Sequence, residues 1–106
     1  MVSNQVLQNT IDGIREISHL DLGIMDAEGR EIVSTAPVFE AAVRAIPDFV
    51  SSQADSQMAG SFQFFKVFDE QVLEYILVVC GESDSSLLIG RMAVLQLKGL
   101  LQAFKE

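Results

Sequence analysis

A single cysteine, Cys80, and a single histidine, His19, leave this sequence with few of the side chains that catalytic and metal sites need. One cysteine cannot form an internal disulfide. The lone histidine belongs to no Ser-His-Asp or Cys-His signature, and the scattered carboxylates show no metal-ligand spacing. The glycines form neither a GxGxxG nor a Walker phosphate loop. We therefore expect no enzyme, no bound cofactor and no metal.

Long apolar runs and clustered cations are also missing. No window reaches the roughly 20 apolar residues that span a bilayer. The first residues, MVSNQVLQN, lack the cationic region and apolar core of a signal peptide. We therefore expect a cytoplasmic protein without a membrane segment. The net charge is −8 and the seven lysines and arginines are dispersed. This argues against nucleic-acid binding by the chain itself, because neutralising phosphates requires clustered cations.

Apolar sequence is abundant, and it is concentrated between Ser61 and Gly81. The letters SFQFFKVFD, a polar turn at Asp69–Gln71 and the letters VLEYILVVCG predict two antiparallel strands. The second strand, Val72–Cys80, is almost unbroken apolar sequence. It is therefore predicted to be buried on both faces in the middle of a sheet, with helices over it. A chain of 106 residues forms one domain, which we expect to be organised around this hairpin.

Periodicity and turn signals predict the remaining elements. The first is a helix over Ser3–Ser18, followed by strands over Leu20–Met25 and Arg30–Thr35 around a turn at Asp26–Gly29. A second helix is predicted to be capped by Thr35, with Pro37 in its first turn and a break near Ala45–Ile46 caused by Pro47. A polar loop over Ser51–Ser61 and a final helix over Ser85–Phe104 complete the prediction. Gly13 interrupts the first helix, which we attribute to close helix packing.

The order α-β-β-α-β-β-α predicts an α+β domain. We expect an antiparallel sheet of two hairpins, with about four or five strands. The N- and C-terminal helices should lie on one face of the sheet, and the first strand should pair with the last. Sensor domains of the PAS, GAF and roadblock-like kinds have this arrangement.

The final helix carries more apolar residues than one buried stripe requires. The excess predicts a second packing partner, which is either the first helix or the same helix of a second copy. We therefore expect a homodimer. The residues predicted for its interface are Leu88, Met92, Leu95 and Leu101.

Lys66 is the most unusual residue of the central hairpin, because it places a cation on the same predicted face as Phe62, Phe64 and Phe68. Its side chain either reaches solvent at an edge or anchors a carboxylate or phosphate together with Arg44. The aromatic cluster is likewise either core or the lining of a pocket. The residues predicted to bind a ligand are Arg44, Asp55, Ser56, Gln57, Phe64, Lys66 and Tyr75.

Four segments resemble a known family. They are IMDAEGREIVST, SSQADSQ, FQFFKVFDEQVLEYILVVCGESD and LLIGRMAVLQLKGLLQAFKE. They are similar to the N-terminal sensing region of bacterial transcription factors of the sugar-diacid (carbohydrate diacid) regulator type, whose C-terminal part is a PucR-like helix-turn-helix. The resemblance implies a cytoplasmic regulatory domain, residues 1–106, that is a fragment of a longer regulator.

In that family role the chain would sense a small metabolite, such as a carboxylate, and pass the signal through its terminal helix. DNA would be contacted only by the C-terminal part that is missing here. The alternative is a roadblock-like interaction and dimerisation module that binds no ligand. The alternative predicts a fully packed phenylalanine cluster, whereas a pocket beside Lys66 and Tyr75 would favour sensing.

Overall fold

The computed structural model describes residues 2–37 and 39–104 of the chain. Its regular elements are α1 (Asn4–Ser18), β1 (Leu22–Met25), β2 (Glu31–Ser34), two 3-10 turns (Phe39–Ala41 and Val43–Ala45), α2 (Ile46–Ser51), β3 (Ser56–Ala59), β4 (Phe62–Asp69), β5 (Val72–Cys80) and α3 (Asp84–Ala103). No helix in the described part of the chain is long and apolar enough to cross a membrane.

The sheet is antiparallel and has five strands in the order β2-β1-β5-β4-β3. The predicted α+β class is therefore confirmed, as is the pairing of the first strand with the last. β5 lies in the centre, between β1 and β4. Its residues from Tyr75 to Val79 are all buried, as expected for an apolar strand covered on both faces.

Each face of the sheet has its own core, because neighbouring residues of a strand point to opposite sides. Phe65 and Leu77 belong to the core that α1 and α3 cover, so both terminal helices lie on one face, as predicted. Phe64 and Ile76 belong to the core that the 3-10 turns and α2 cover. The structure thus has three layers, with the sheet in the middle.

The segment 51–61, predicted to be a loop, contains β3. Ser56 pairs with Phe65 and Ala59 with Phe62, which places β3 at the edge of the sheet. The loop prediction was wrong because an edge strand can be short and polar. No residue of β3 is fully buried, so it carries no apolar alternation that the sequence could reveal.

The connection between β2 and α2 also differs from the prediction. Thr35 does not cap a helix: its hydroxyl donates to the Asp21 carboxylate at 2.9 Å and accepts from the Leu22 N–H at 3.0 Å. Two 3-10 turns follow, and the predicted helix also includes Val38, which lies outside the described residues. The break near Ala45–Ile46 is confirmed, since α2 begins at Ile46 with Pro47 in its first turn.

Helix α1 is confirmed with Ser3 as its N-cap, whose hydroxyl accepts from the Val6 N–H at 3.2 Å. The packing explanation for Gly13 is wrong. Gly13 is exposed, and a Cβ atom placed there would meet nothing within 4 Å. The residue that does permit a close helix contact is Gly90, in α3.

The predicted turn Asp26–Gly29 is present. Gly29 has a φ of +87°, which favours glycine. The Asp26 carboxylate accepts hydrogen bonds from the backbone N–H groups of Glu28 and Arg30. Partial burial acts to raise the pKa of Asp26, but these hydrogen bonds and the Arg30 guanidinium outweigh it, so the pKa lies below its ordinary value.

Candidate functional site

Helix α3 is firmly seated on the sheet through one face. A capping box fixes its start, because the Ser83 hydroxyl accepts from the Ser86 N–H and the Ser86 hydroxyl accepts from the Ser83 N–H, each at 3.2 Å. Gly90 faces the Phe65 ring so closely that a Cβ atom would lie 2.2 Å from it. The close approach lays α3 directly over β4.

A cleft of about 330 Å³ opens beside this contact, between α3 and the β3–β4 edge of the sheet. Three kinds of side chain meet in it: three cations, an apolar group with two aromatic rings, and a short polar pair. Its lining residues are Lys66, Arg91 and Lys98, then Phe65, Phe68 and Val94, then Asp55 and Ser56. The volume lies at the lower end of the range for small-molecule sites, about 300–1,000 Å³.

Lys66 is buried, with 8% of its surface exposed. Its Nζ donates to the Ser52 carbonyl oxygen at 2.6 Å and lies 5.1 Å from the centroid of the Phe49 ring. Ser52 follows the last residue of α2, so the cation meets a helix C-terminus as well as an aromatic face. Lys66 therefore ties β4 to α2 in addition to lining the cleft.

Phe62 and Phe64 pack into the same core as Phe49, beneath Lys66. Phe68 lines the cleft together with Lys66. The register between β4 and β5 shifts beside Phe68, where β5 carries one extra residue, as at a β-bulge.

The structure brings three of the predicted ligand-binding residues together, namely Asp55, Ser56 and Lys66. Gln57 lines a neighbouring depression of about 210 Å³ with Gln63 and Ser83. Phe64 is fully buried and has its ring 5.9 Å from that of Phe49, so it belongs to the core.

Arg44 and Tyr75 lie elsewhere. Arg44 lines a separate shallow depression with Glu40, so the structure does not join Arg44 and Lys66 in one cleft. Tyr75 packs on the α1–α3 side of the sheet and lines another depression with Glu31 and Glu74. Burial raises the pKa of the Tyr75 hydroxyl, and the negative charges of Glu74 and Asp69 raise it further.

Sequence reasoning missed Arg91 and Lys98, the two cations that α3 contributes. A usable signal was present: residues 91, 94 and 98 are spaced by three and four, which places a cation, a valine and a cation along one side of a helix. The many apolar positions of this segment obscure the pattern.

The side of α3 that faces away from the sheet carries an exposed apolar stripe, formed by Leu88, Met92 and Leu95, which are 60%, 58% and 73% exposed. Leu101 does not share this surface. It is only 7% exposed and packs in the core beneath α1 and α3, so it cannot contribute to a contact made by the stripe.

Among residues 2–37 and 39–104, no three His, Cys, Asp or Glu side chains lie together as a metal site would require.

No protein-family model matches the chain, and comparisons with curated proteins and with solved structures found no significant match. The fold is that of an α+β domain with a five-stranded antiparallel sheet. The resemblance to sugar-diacid regulators remains a prediction.

Proposed function

We propose that this chain is the sensing domain of a bacterial transcription regulator, which binds a small metabolite and pairs with a second copy through α3. One observation carries the proposal: the same helix lines the cleft and presents the apolar stripe. Arg91, Val94 and Lys98 border the cleft, whereas Leu88, Met92 and Leu95 are exposed to solvent. The domain would be cytoplasmic and without catalytic activity, and DNA would be contacted by another part of the regulator.

The stripe has the spacing of a helix-pairing surface. Leu88, Met92 and Leu95 are separated by four and three residues, which is the repeat of a coiled-coil seam. Such a seam is complementary to a second copy of itself. Burying each of these side chains would contribute about 1.5–3 kcal/mol before the cost of association is subtracted. A second copy of the chain is therefore the partner that we propose for the stripe.

A ligand in the cleft could act on this pairing through the position of α3. Any metabolite that binds one arrangement of α3 better than another shifts the population toward the first. If pairing favours the same arrangement of α3, ligand binding raises the affinity for the second copy, and pairing raises the affinity for the ligand by the same factor. The regulator would read this coupling as its signal.

The dimer is tested by replacing the whole stripe. We expect the triple variant L88Q/M92Q/L95Q to weaken self-association at least tenfold, because its polar side chains would lose the apolar burial that drives pairing. Sedimentation equilibrium over a range of concentrations measures the dissociation constant. The control is I17Q/V72Q, which removes exposed apolar side chains of α1 and β5 and should leave association unchanged.

A wild-type chain that remains monomeric at millimolar concentration would refute the pairing. Equal weakening by the control variant would show that any loss of exposed apolar surface has the effect, and would refute the assignment to α3.

Sensing is tested by a metabolite screen that follows thermal unfolding. A ligand present at 100 times its Kd should stabilise the folded chain by about 2.7 kcal/mol. For a domain of this size such a change raises Tm by more than about 10 °C. A metabolite that stabilises the chain and also changes its dimer dissociation constant supports the sensor. Metabolites that stabilise it without affecting pairing argue against signalling through α3.

A roadblock-like interaction module without a ligand is the second candidate. Its supporting observation is the packed aromatic core: Phe39, Phe49 and Phe64 are fully buried, and their rings contact neighbouring rings. The cleft beside Lys66 supports the sensor instead. If the triple variant weakens pairing and no metabolite stabilises the chain, the interaction module is favoured.

A further inference from the structure

We infer that the cleft between α3 and the β3–β4 edge binds a monocarboxylate with a flat apolar body, held at its charged end by Arg91, with Lys98 as a second positive charge along the same side of α3. This ligand class deepens the proposed sensing function and rests on it, since it concerns the same cleft. It also differs from the polyhydroxylated dicarboxylate that the family resemblance implies.

Positive charge is concentrated in this cleft. The chain has fifteen acidic side chains and seven lysines and arginines, and three of those seven line this cleft. Most of the remaining surface therefore repels an anion, while the cleft attracts one. The local charge is opposite to that of the whole domain, which favours selective capture of a negatively charged ligand.

In the part of the chain that the structure describes, the two cations of α3 have no partner of their own. Arg15 and Arg30 form ion pairs with Asp21 and Asp26. In the described part of the chain, Arg91 and Lys98 form neither an ion pair nor a side-chain hydrogen bond. Their N–H groups are therefore available to a ligand, and the Arg91 guanidinium can hold a carboxylate through two parallel hydrogen bonds.

An apolar surface lies between these cations. Val94 lies one turn from each of them on α3, and the rise of a helix separates the two cations by about 10 Å along its axis. Phe65 and Phe68 line the cleft from the sheet. A planar apolar ring system can lie against this surface with its carboxylate directed to the Arg91 guanidinium.

The polar lining is too sparse for a sugar acid. Besides the cations, only Asp55 and Ser56 offer polar side chains. A chain of hydroxyl groups against Phe65, Phe68 and Val94 would lose hydrogen bonds to water without replacing them. Asp55 is the one acidic side chain in the lining, and a ligand carboxylate placed beside it would be repelled.

Three probes separate these ligand classes: naphthalene-2-carboxylate, its neutral carboxamide, and glucarate. Backbone amide spectra of the ¹⁵N-labelled chain report both the affinity and the location of binding. We expect the carboxylate to bind at least tenfold more tightly than the carboxamide, because a charge-assisted pair contributes about one factor of ten or more. It should also bind more tightly than glucarate, whose hydroxyl groups would lose hydrogen bonds to water against the apolar lining. Its shifts should centre on Phe65, Arg91, Val94 and Lys98.

Two variants assign the anion contact to α3. Arg91→Gln and Lys98→Gln should each weaken naphthalene-2-carboxylate binding severalfold, up to about tenfold for the bidentate arginine. Arg44→Gln is the matched control, since Arg44 is an exposed cation in a different depression, and it should leave the affinity unchanged. All three side chains are exposed, so folding should be preserved.

The inference is overturned if the carboxamide or glucarate binds as tightly as the carboxylate. It is also overturned if the carboxylate does not bind at millimolar concentration, or if its shifts lie away from the cleft. Failure of the proposed sensor has a different signature. In that case naphthalene-2-carboxylate occupies the cleft and the dimer dissociation constant stays the same.

Discussion

Leu97→Ala is expected to lower the free energy of unfolding by about 2–5 kcal/mol, whereas Leu95→Ala should change it by less than about 0.5 kcal/mol. The two leucines are close neighbours in the middle of α3 and undergo the same chemical change, so helix propensity affects both equally. Leu97 is 1% exposed and lies in the core shared with α1, while Leu95 is 73% exposed. The difference therefore measures burial alone.

Urea denaturation followed by circular dichroism gives both free energies. The comparison belongs at low protein concentration, because pairing through the stripe would stabilise the wild-type chain by mass action. Under dilute conditions Leu95→Ala should match the wild type. Similar losses for both variants would mean that the outer side of α3 is buried in the isolated chain, which would contradict the position of this helix.

The centre of the sheet could be predicted because its strand is nearly continuous apolar sequence, which must be buried on both faces. Val72–Cys80 was predicted to be a central strand covered on both sides, because most of it is too apolar to face water. The structure places it in the centre of the sheet and buries Tyr75–Val79, whereas Val72 at the start of the strand is exposed. The same reasoning cannot detect β3. An edge strand pairs with one neighbour only and does not require a continuous apolar face. The sequence of Ser56–Ala59 therefore resembles that of a loop.

The candidate site was partly predictable for a related reason. Lys66 stood out because a charge among phenylalanines needs a compensating partner. The sequence could not supply that partner, since the Ser52 carbonyl and the Phe49 ring come into reach only when α2 packs on the sheet. Arg91 and Lys98 look like ordinary solvated residues of a helix. Only the position of α3 over β4 makes them part of a cleft.

The contact that sets this position can be tested at Gly90. We expect Gly90→Ala to lower the free energy of unfolding by about 1–3 kcal/mol, as overpacking does. An added Cβ atom would lie 2.2 Å from the Phe65 ring, and Phe65 is itself buried between β4 and α3. The ring or the helix must therefore move. The loss should appear even though alanine favours a helix by about 1 kcal/mol over glycine.

Gly99→Ala and Gly13→Ala are the matched controls, because a Cβ atom at either helical position meets nothing within 4 Å. Each should raise stability by about 1 kcal/mol through helix propensity alone. Phe65→Leu provides a second check: if the clash involves the ring, combining it with Gly90→Ala should cost less than the sum of the single changes. Strict additivity, or a Gly90→Ala variant as stable as Gly99→Ala, would contradict the close seating of α3 on β4. Helix α3 forms one wall of the cleft because it packs closely on β4. Such a result would therefore also remove the geometric basis for placing Arg91 and Lys98 beside Phe65.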